Sequence, residues 1–433
     1  MDTMATTKKN IAIIGSGIAG LTTAYLLNRE HHVTLFEAND YLGGHTHTID
    51  VERKGVTYPI NTGFIVFNDW TYPNFIKLMD QIGVASEASD MSFSVRCENT
   101  GLEYNGTNLN TLFAQRLNLV RPKFLRMIRD ILRFNKETVA ALKADSIGDS
   151  ETLGEYLTAN RYSDGFIHHY IVPMGAAIWS ASTDVMMDFP LKFFLRFFNN
   201  HGMLSVDDRP QWRVISGGSR AYIEPLTASF KDRIHYNSPV QTVRRHEQGV
   251  TLVVQQGENG NKQESKEYEF DEVVFACHSD QALAMLAEPT AAENRVLGAL
   301  PYQDNAVVLH TDTRLMPKKA LAWASWNYHI PQRNSDTATL TYNMNILQNF
   351  YDAQDTFLVT LNRTPEIDPD KIIAQYNYSH PVFTLDGIHA QQCHHEISGH
   401  NRTHYCGAYW FNGFHEDGVN SALRVAKAFG IEL

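Results

Sequence analysis

Apolar residues run without interruption from Ile11 to Ile14, a length that predicts a strand buried on both faces. Glycines break the run, and Leu21, Ala24, Tyr25 and Leu27 then recur at helical spacing. HVTLFE, ending at Glu37, returns to strand composition. The chain therefore opens as strand, tight turn, helix, strand. Residues 233–286 carry two β-rich runs around the polar turn GENGNK, then the strand EVVF and a helix start with Ser279 or Asp280 as N-cap. Near the other end, THYCGAYW reads as a strand, and Gly413 and Gly418 permit tight backbone. Val419, Ala422, Leu423, Val425, Ala426 and Phe429 form a helical stripe that Gly430 stops. Between these parts, 87–204 is mostly helical in pattern and 297–386 mixes strands and helices.

A chain of 433 residues exceeds one ordinary core, so two domains are expected. With 43% hydrophobic and 20% charged residues the composition is globular. A formal net charge of -11 argues against a nucleic-acid partner, which needs a basic surface. Four cysteines without a C-x-x-C pair form no disulfide framework and fit a reduced cytoplasm. The opening residues have no signal-peptide h-region, and no run of about 20 apolar residues predicts a spanning helix.

One local stretch departs from the acidic balance. Residues 115–136 hold Arg116, Arg121, Lys123, Arg126, Arg129, Arg133 and Lys136 against the single acid Asp130, with Leu125, Ile128, Ile131 and Leu132 as an apolar face. A basic amphipathic helix suits an anionic lipid surface, or it packs its apolar face on the core. Residues 189–204, FPLKFFLRFFNNHGML, hold five phenylalanines. They suit a tunnel for a long apolar substrate, a bilayer interface or a buried core helix.

The glycines after the first strand are Gly15, Gly17 and Gly20, in the pattern G-x-G-x-x-G completed by Ser16, Ile18 and Ala19. The first permits the turn, the second the approach of a pyrophosphate, the third close helix–strand packing. Glu37 lies 17 residues beyond Gly20, near the spacing for a carboxylate that grips ribose hydroxyls, and Ala38 follows it. This context makes the motif a dinucleotide site. Gly43, Gly44 and His45 follow, and YPINTGFIVFN places Thr62, Gly63 and Phe64 in a turn before a β-rich run. His45 and His47 without a third partner are a poor metal signal, and no metal site is expected.

These elements together resemble the flavin-containing amine oxidase and phytoene desaturase superfamily. The resemblance implies an α/β fold: a Rossmann-type FAD-binding domain from 1–86, 205–296 and 387–433, and a discontinuous α+β substrate domain from 87–204 and 297–386. It implies non-covalent FAD, held by the first glycine motif, Glu37, Ala38, Gly43, Gly44 and His45, with His45 standing where arginine is usual. Thr62, Gly63 and Phe64 match the segment beside the flavin, with Asn61 where aspartate is common. Val240 matches the S-P-V valine whose backbone meets the adenine end. Gly418 and Val419 match the flavin-facing amides of the final helix, whose N-terminus suits the N1–C2=O region of a reduced flavin.

NTGFIVFNDWTYPNF, VPMGAAIWSAS, SGGSR, SWNY and GFHEDG are most similar to bacterial flavoproteins associated with cyclopropane-fatty-acid-synthase-type methyltransferases. That implies an acyl substrate, with hydride transfer from an allylic C–H to flavin N5 giving desaturation or double-bond isomerisation. A small amine as substrate, or a flavoprotein that supports a lipid methyltransferase without turnover, are the alternatives. Tyr409, Trp410 and Trp179 are the candidate walls of the flavin face, with Trp212 and Trp326 beside them. The expected partners are a long-chain acyl substrate, an anionic membrane surface through 115–136, a lipid methyltransferase and no nucleic acid. The expected location is the cytoplasm, peripheral to the inner face of the membrane.

Overall fold

The computed structural model describes residues 8–256, 264–332 and 336–433, so the GENGNK turn at 257–262 lies outside the described residues. Five strands form a wholly parallel sheet in the order Ile234–His235, His32–Phe36, Asn10–Ile14, Glu272–Phe275, Thr403–Tyr405. The uninterrupted apolar run explains the central strand. Ile11 and Ile13 pack on one face against helices Ile18–Leu27 and His415–Ala428. Ala12 and Ile14 pack on the other, under the antiparallel sheet Val240–His246, Gly249–Gln256, Glu264–Phe270. A period of two thus feeds two separate cores from four consecutive residues.

The second body is a seven-stranded sheet of order Ile372–Pro381, Tyr302–His310, Leu358–Leu361, Leu340–Asn343, Trp326–Ile330, Phe93–Cys97, Glu103–Asn105. Its neighbours pair antiparallel except Trp326–Ile330 with Phe93–Cys97, which run parallel. That parallel pair stitches the segment before residue 106 to the one after 300. Helices between Pro122 and Asn200 cover the sheet around one large aromatic core.

Three local expectations change. The helix after Phe275 spans Ser279–Met285, and the residue before it is His278, whose N–H donates to Gln281 Oε1 (3.2 Å). A glutamine three residues into the helix takes the capping role, so the start falls before Ser279. The basic segment splits into a 3₁₀ turn, Arg116–Val120, and a helix, Pro122–Lys143. That helix buries Phe124, Met127 and Phe134, half-buries Ile128 and Ile131, and leaves Leu125 and Leu132 exposed. Both stripes satisfy helical spacing, and the larger aromatic one wins the core. The phenylalanine-rich segment forms helix Leu191–Asn200 with Phe194, Phe197 and Phe198 buried, a core helix with one side chain, Phe197, on a cavity wall.

Gly20 tests the strand–helix packing. A Cβ there would stand 2.0 Å from the Gly15 carbonyl oxygen and 3.1 Å from the Ala276 Cβ, whereas one at Gly17 would meet nothing within 4 Å. Gly20→Ala is expected to lower stability by ~1–3 kcal/mol as overpacking. Gly17→Ala should change it by less than ~0.5 kcal/mol. Thermal melts of the two variants compare them directly.

Candidate active site

The carboxyl ends of the parallel strands open into a cavity of about 1120 Å³. The first strand ends in Gly15, at φ +101°, whose N–H donates to the Phe36 carbonyl (2.9 Å). Few side chains tolerate that conformation. Gly17 sits at the start of helix Ile18–Leu27 and pairs across to Gly43, a Cβ on Gly44 would stand 3.5 Å from Gly17 Cα, and one on Gly17 would meet nothing within 4 Å. The free N–H groups of the helix start therefore face open space, the arrangement that accepts a diphosphate.

Glu37 is pre-oriented at the end of the second strand. Its Oε2 accepts from the Ser16 N–H (3.0 Å) and the Ser16 hydroxyl, and its Oε1 accepts from the Asn39 N–H and side-chain amide (both 2.9 Å). The carboxylate lines the cavity, its four lone-pair sites each held by one of these donors. His45 is partly buried beside His380 (5.3 Å between ring centroids) and His278 (6.3 Å), and its buried Nε2 has no hydrogen-bond partner. Burial holds its pKa well below the ordinary histidine range. An unpartnered buried nitrogen on the wall of a cavity calls for a ligand atom. Among the described residues no group of three His, Cys, Asp or Glu is placed to hold a metal.

Of the residues expected to contact the cofactor, Gly15, Ser16, Gly17, Ile18, Glu37, Ala38, Gly43, Gly44, His45, Gly63, Phe64 and Val240 line this one cavity. Ala19, Gly20, Thr62, Gly418 and Val419 lie off it. Thr62 turns its hydroxyl to His47 Nδ1 (3.0 Å) and Tyr378 Oη (3.1 Å). Val419 is fully buried, and a Cβ on Gly418 would stand 2.6 Å from Ile18 Cγ2, so Gly418 serves helix–helix contact. The cavity is met instead by Gly413, Phe414 and His415, at the start of helix His415–Ala428. The first-turn N–H groups there, one turn earlier than expected, are the ones without intrahelical acceptors.

Tyr409 and Trp179 also line the cavity; Trp410 does not. In the 3₁₀ turn Ala408–Trp410 the Tyr409 and Trp410 rings touch (5.1 Å), but Trp410 sits behind, edge-on against His394 (4.6 Å) in the core. Trp179 donates from Nε1 to the Asn412 carbonyl (3.4 Å). Trp212 and Trp326 stand on the same cavity.

The sequence reading missed His415, whose ring stacks on Phe64 (3.4 Å, 12°) and whose Nε2 meets the Thr46 hydroxyl (3.0 Å) and Tyr222 Oη (3.1 Å). Burial pushes its pKa down to about 3, so it is neutral. It missed the next two residues as well. Glu416 accepts the N–H groups of Asn74 (3.1 Å) and Phe75 (2.8 Å) at the start of helix Pro73–Gln81. Asp417 accepts that of Phe414 (2.9 Å). An acidic pair ahead of a helical stripe is the available signal, read as capping.

Burial raises the Asp417 carboxyl to about 7. A raised carboxyl pKa means that stability is complete below the unfolded value and is lost as pH rises through the folded one. Asp417→Asn keeps an acceptor for Phe414 and has no proton to lose. Its stability relative to the parent should therefore improve by on the order of 2 kcal/mol between about pH 5 and pH 8. Denaturant melts at both pH values measure this; parallel behaviour would mean an ionised Asp417 throughout.

Residues 18–376 match the family model described as flavin containing amine oxidoreductase. The chain is 22% identical over 326 residues to the L-amino-acid oxidase of Siganus canaliculatus, covering 70% of this chain and 57% of that protein. Thus it spans little more than half of that curated relative. Its fold is similar to a CLA-producing fatty acid isomerase from P. acnes (TM-score 0.68, 15% identical, 98% of this chain and 99% of that one). It is equally similar to the cyclohexylamine oxidase of Brevibacterium oxydans IH-35A (TM-score 0.64, 16% identical, 98% and 100%). Carrying that family's pattern over most of its length, on a cavity whose glycine turn, ribose-type carboxylate and unpartnered imidazole suit a dinucleotide, the chain belongs to the flavin containing amine oxidoreductases and its cofactor is FAD.

Proposed function

We propose that the protein oxidises or isomerises a long acyl chain, removing hydride from an allylic C–H. The observation that carries this reading is the character of the cavity beyond the cofactor walls. Tyr104, Met174, Ile178, Phe197, Met203 and Tyr342 line it, and Arg209 is the one basic side chain among all its lining residues. A long apolar chamber with one cation at its exposed edge fits an amphipathic acid better than a small amine.

The π-helical turn Ile167–Ile171, ahead of helix Val172–Trp179, presents Tyr170 to the same cavity. Burial pushes that phenol up to about 12, and the Arg209 charge pulls the other way. Neither the Tyr170 hydroxyl nor the Arg209 guanidinium has a protein partner among the described residues, so both are free to meet a carboxylate. Asp90 is the other charged lining residue on this side, and its charge acts on exposed Tyr351, toward the outer surface.

On this reading FAD is held by Gly15–Ile18, Glu37, Ala38, Gly43–His45, Gly63, Phe64 and Val240, with the start of helix His415–Ala428 in place of Gly418 and Val419. Bound FAD supplies the two-electron acceptor. The chain's own part is to orient the chain and exclude water: Trp179, Phe197 and Tyr342 wall a dry path, and no side-chain nucleophile is required.

Amine oxidation is the second reading, favoured by the L-amino-acid oxidase and cyclohexylamine oxidase likenesses. Anaerobic mixing of the FAD-loaded protein with an unsaturated long-chain acid, and separately with primary amines, distinguishes them. Desaturation bleaches the flavin and gives a product two hydrogens lighter; isomerisation gives a product of equal mass with a moved double bond. Bleaching by amines alone would overturn the acyl reading. Binding of the acid with neither product would favour a supporting role beside a lipid methyltransferase. Arg209→Gln is expected to raise KM for the free acid by about tenfold or more, leaving that for its methyl ester unchanged.

A further inference from the structure

Half of the exposed large apolar side chains among the described residues fall in one short stretch: Leu109, Leu117, Leu119, Val120, Leu125 and Leu132. Leu109, Leu117 and Val120 are 75%, 68% and 76% exposed. On helix Pro122–Lys143, the exposed positions Leu125, Arg129, Leu132 and Lys136 follow one another at spacings of four, three and four, so they form a single stripe of alternating apolar and basic side chains. The core does not need this stripe, because Phe124, Met127 and Phe134 already bury the opposite face.

The charge on this face is one-sided. Seven bases between Arg116 and Lys136 stand against Asp130, which is buried and faces Arg126 and Arg133 (each 3.9 Å). The Lys123, Arg129 and Lys136 side chains have no hydrogen bond or ion pair among the described residues. Arg133 turns to Asp130, Glu137 and the Tyr162 ring, and the other six cations, beside six bare apolar side chains on a chain of net charge -11, make a surface whose complement is anionic outside and apolar within.

We propose that residues 109–136 dock the protein on an anionic lipid bilayer. The 3₁₀ turn Arg116–Val120 carries Leu117, Leu119 and Val120 into the acyl boundary, and the basic stripe meets the headgroups. A second copy is the poorer occupant, since a twofold contact would set this basic face against itself. The surface also adjoins the cavity: Gly106 and Thr107 line it, and Leu109 lies two residues further on. The docking surface stands on exposure and charge; only its use as an entry route for acyl chains rests on the function proposed above.

Flotation of the FAD-loaded full chain with vesicles tests the surface without any turnover. Vesicles of phosphatidylcholine with phosphatidylglycerol should carry at least tenfold more protein than phosphatidylcholine alone, and raised salt should reduce the difference. The variant Lys123→Glu/Arg129→Glu/Lys136→Glu should lose tenfold or more. So should Leu117→Ser/Val120→Ser, which keeps every charge. Unchanged flavin absorbance and melting temperature verify that both variants are folded. No flotation of the parent, or equal flotation of both variants, would overturn the proposal. A concentration-dependent dimer that Leu117→Ser/Val120→Ser dissolves would give the face to a second copy and overturn it too.

Discussion

Helix His415–Ala428 can lie on helix Ile18–Leu27 only because residue 418 has no side chain: a Cβ there would reach within 2.6 Å of Ile18 Cγ2. That contact joins segments 400 residues apart and brings the second helix start to the same cavity as the first. Everything around it is anchored by the same turn. His415 stacks on Phe64 and meets Thr46 and Tyr222, while Glu416 accepts two N–H groups from the helix at Pro73–Gln81. Four remote segments thus converge on two consecutive side chains. Burying two carboxyls there is costly, and the cost shows in the raised Asp417 and Glu416 pKa values. It is offset because both are supplied with backbone donors at helix starts.

What could be read from the chain divides along a physical line. The glycine turn, Glu37 and the alternating strand at Asn10–Ile14 are local: their backbone conformations and spacings are set within a few residues, so the dinucleotide site was legible. Gly430, at φ +76°, ends its helix as its position suggests. Gly418 reads in sequence as tight backbone with a flavin-facing amide, but what meets it is a helix, and nothing near residue 418 names a partner at residue 18. Tyr409 and Trp410 were indistinguishable in sequence because a 3₁₀ turn was not foreseen, and it sets one ring on the cavity and the other against His394 behind it. The basic segment offered two apolar stripes one residue out of phase. Only the aromatic core built by Tyr104, Phe113 and Phe166 decides which one is buried. Arg209 lies in an irregular loop with no periodicity, and its meaning comes wholly from the apolar chamber it edges.

The distribution of charge follows one rule across the molecule. Inside the cavity the imidazoles of His45, His278, His380 and His415 are all held neutral by burial. In the resembled pattern an arginine would follow the second glycine pair, and here no basic side chain lines the dinucleotide end. On the proposed placement of FAD, dipoles are what the wall offers a diphosphate: the start of helix Ile18–Leu27 and the unpartnered Nε2 of His45. Dipoles fixed in a low-dielectric wall stabilise an anion without bringing a counter-charge into the chamber. That leaves the interior without a Lys or Arg up to Arg209 at its edge, and puts the strong positive field outside, onto the face of residues 109–136. On the acyl reading proposed above, a mainly apolar chamber beside a basic, leucine-studded surface suits a ligand that is charged at one end and apolar along its length. Each of the two cationic features then meets an anion where water can still reach it, and neither has to be desolvated in the core.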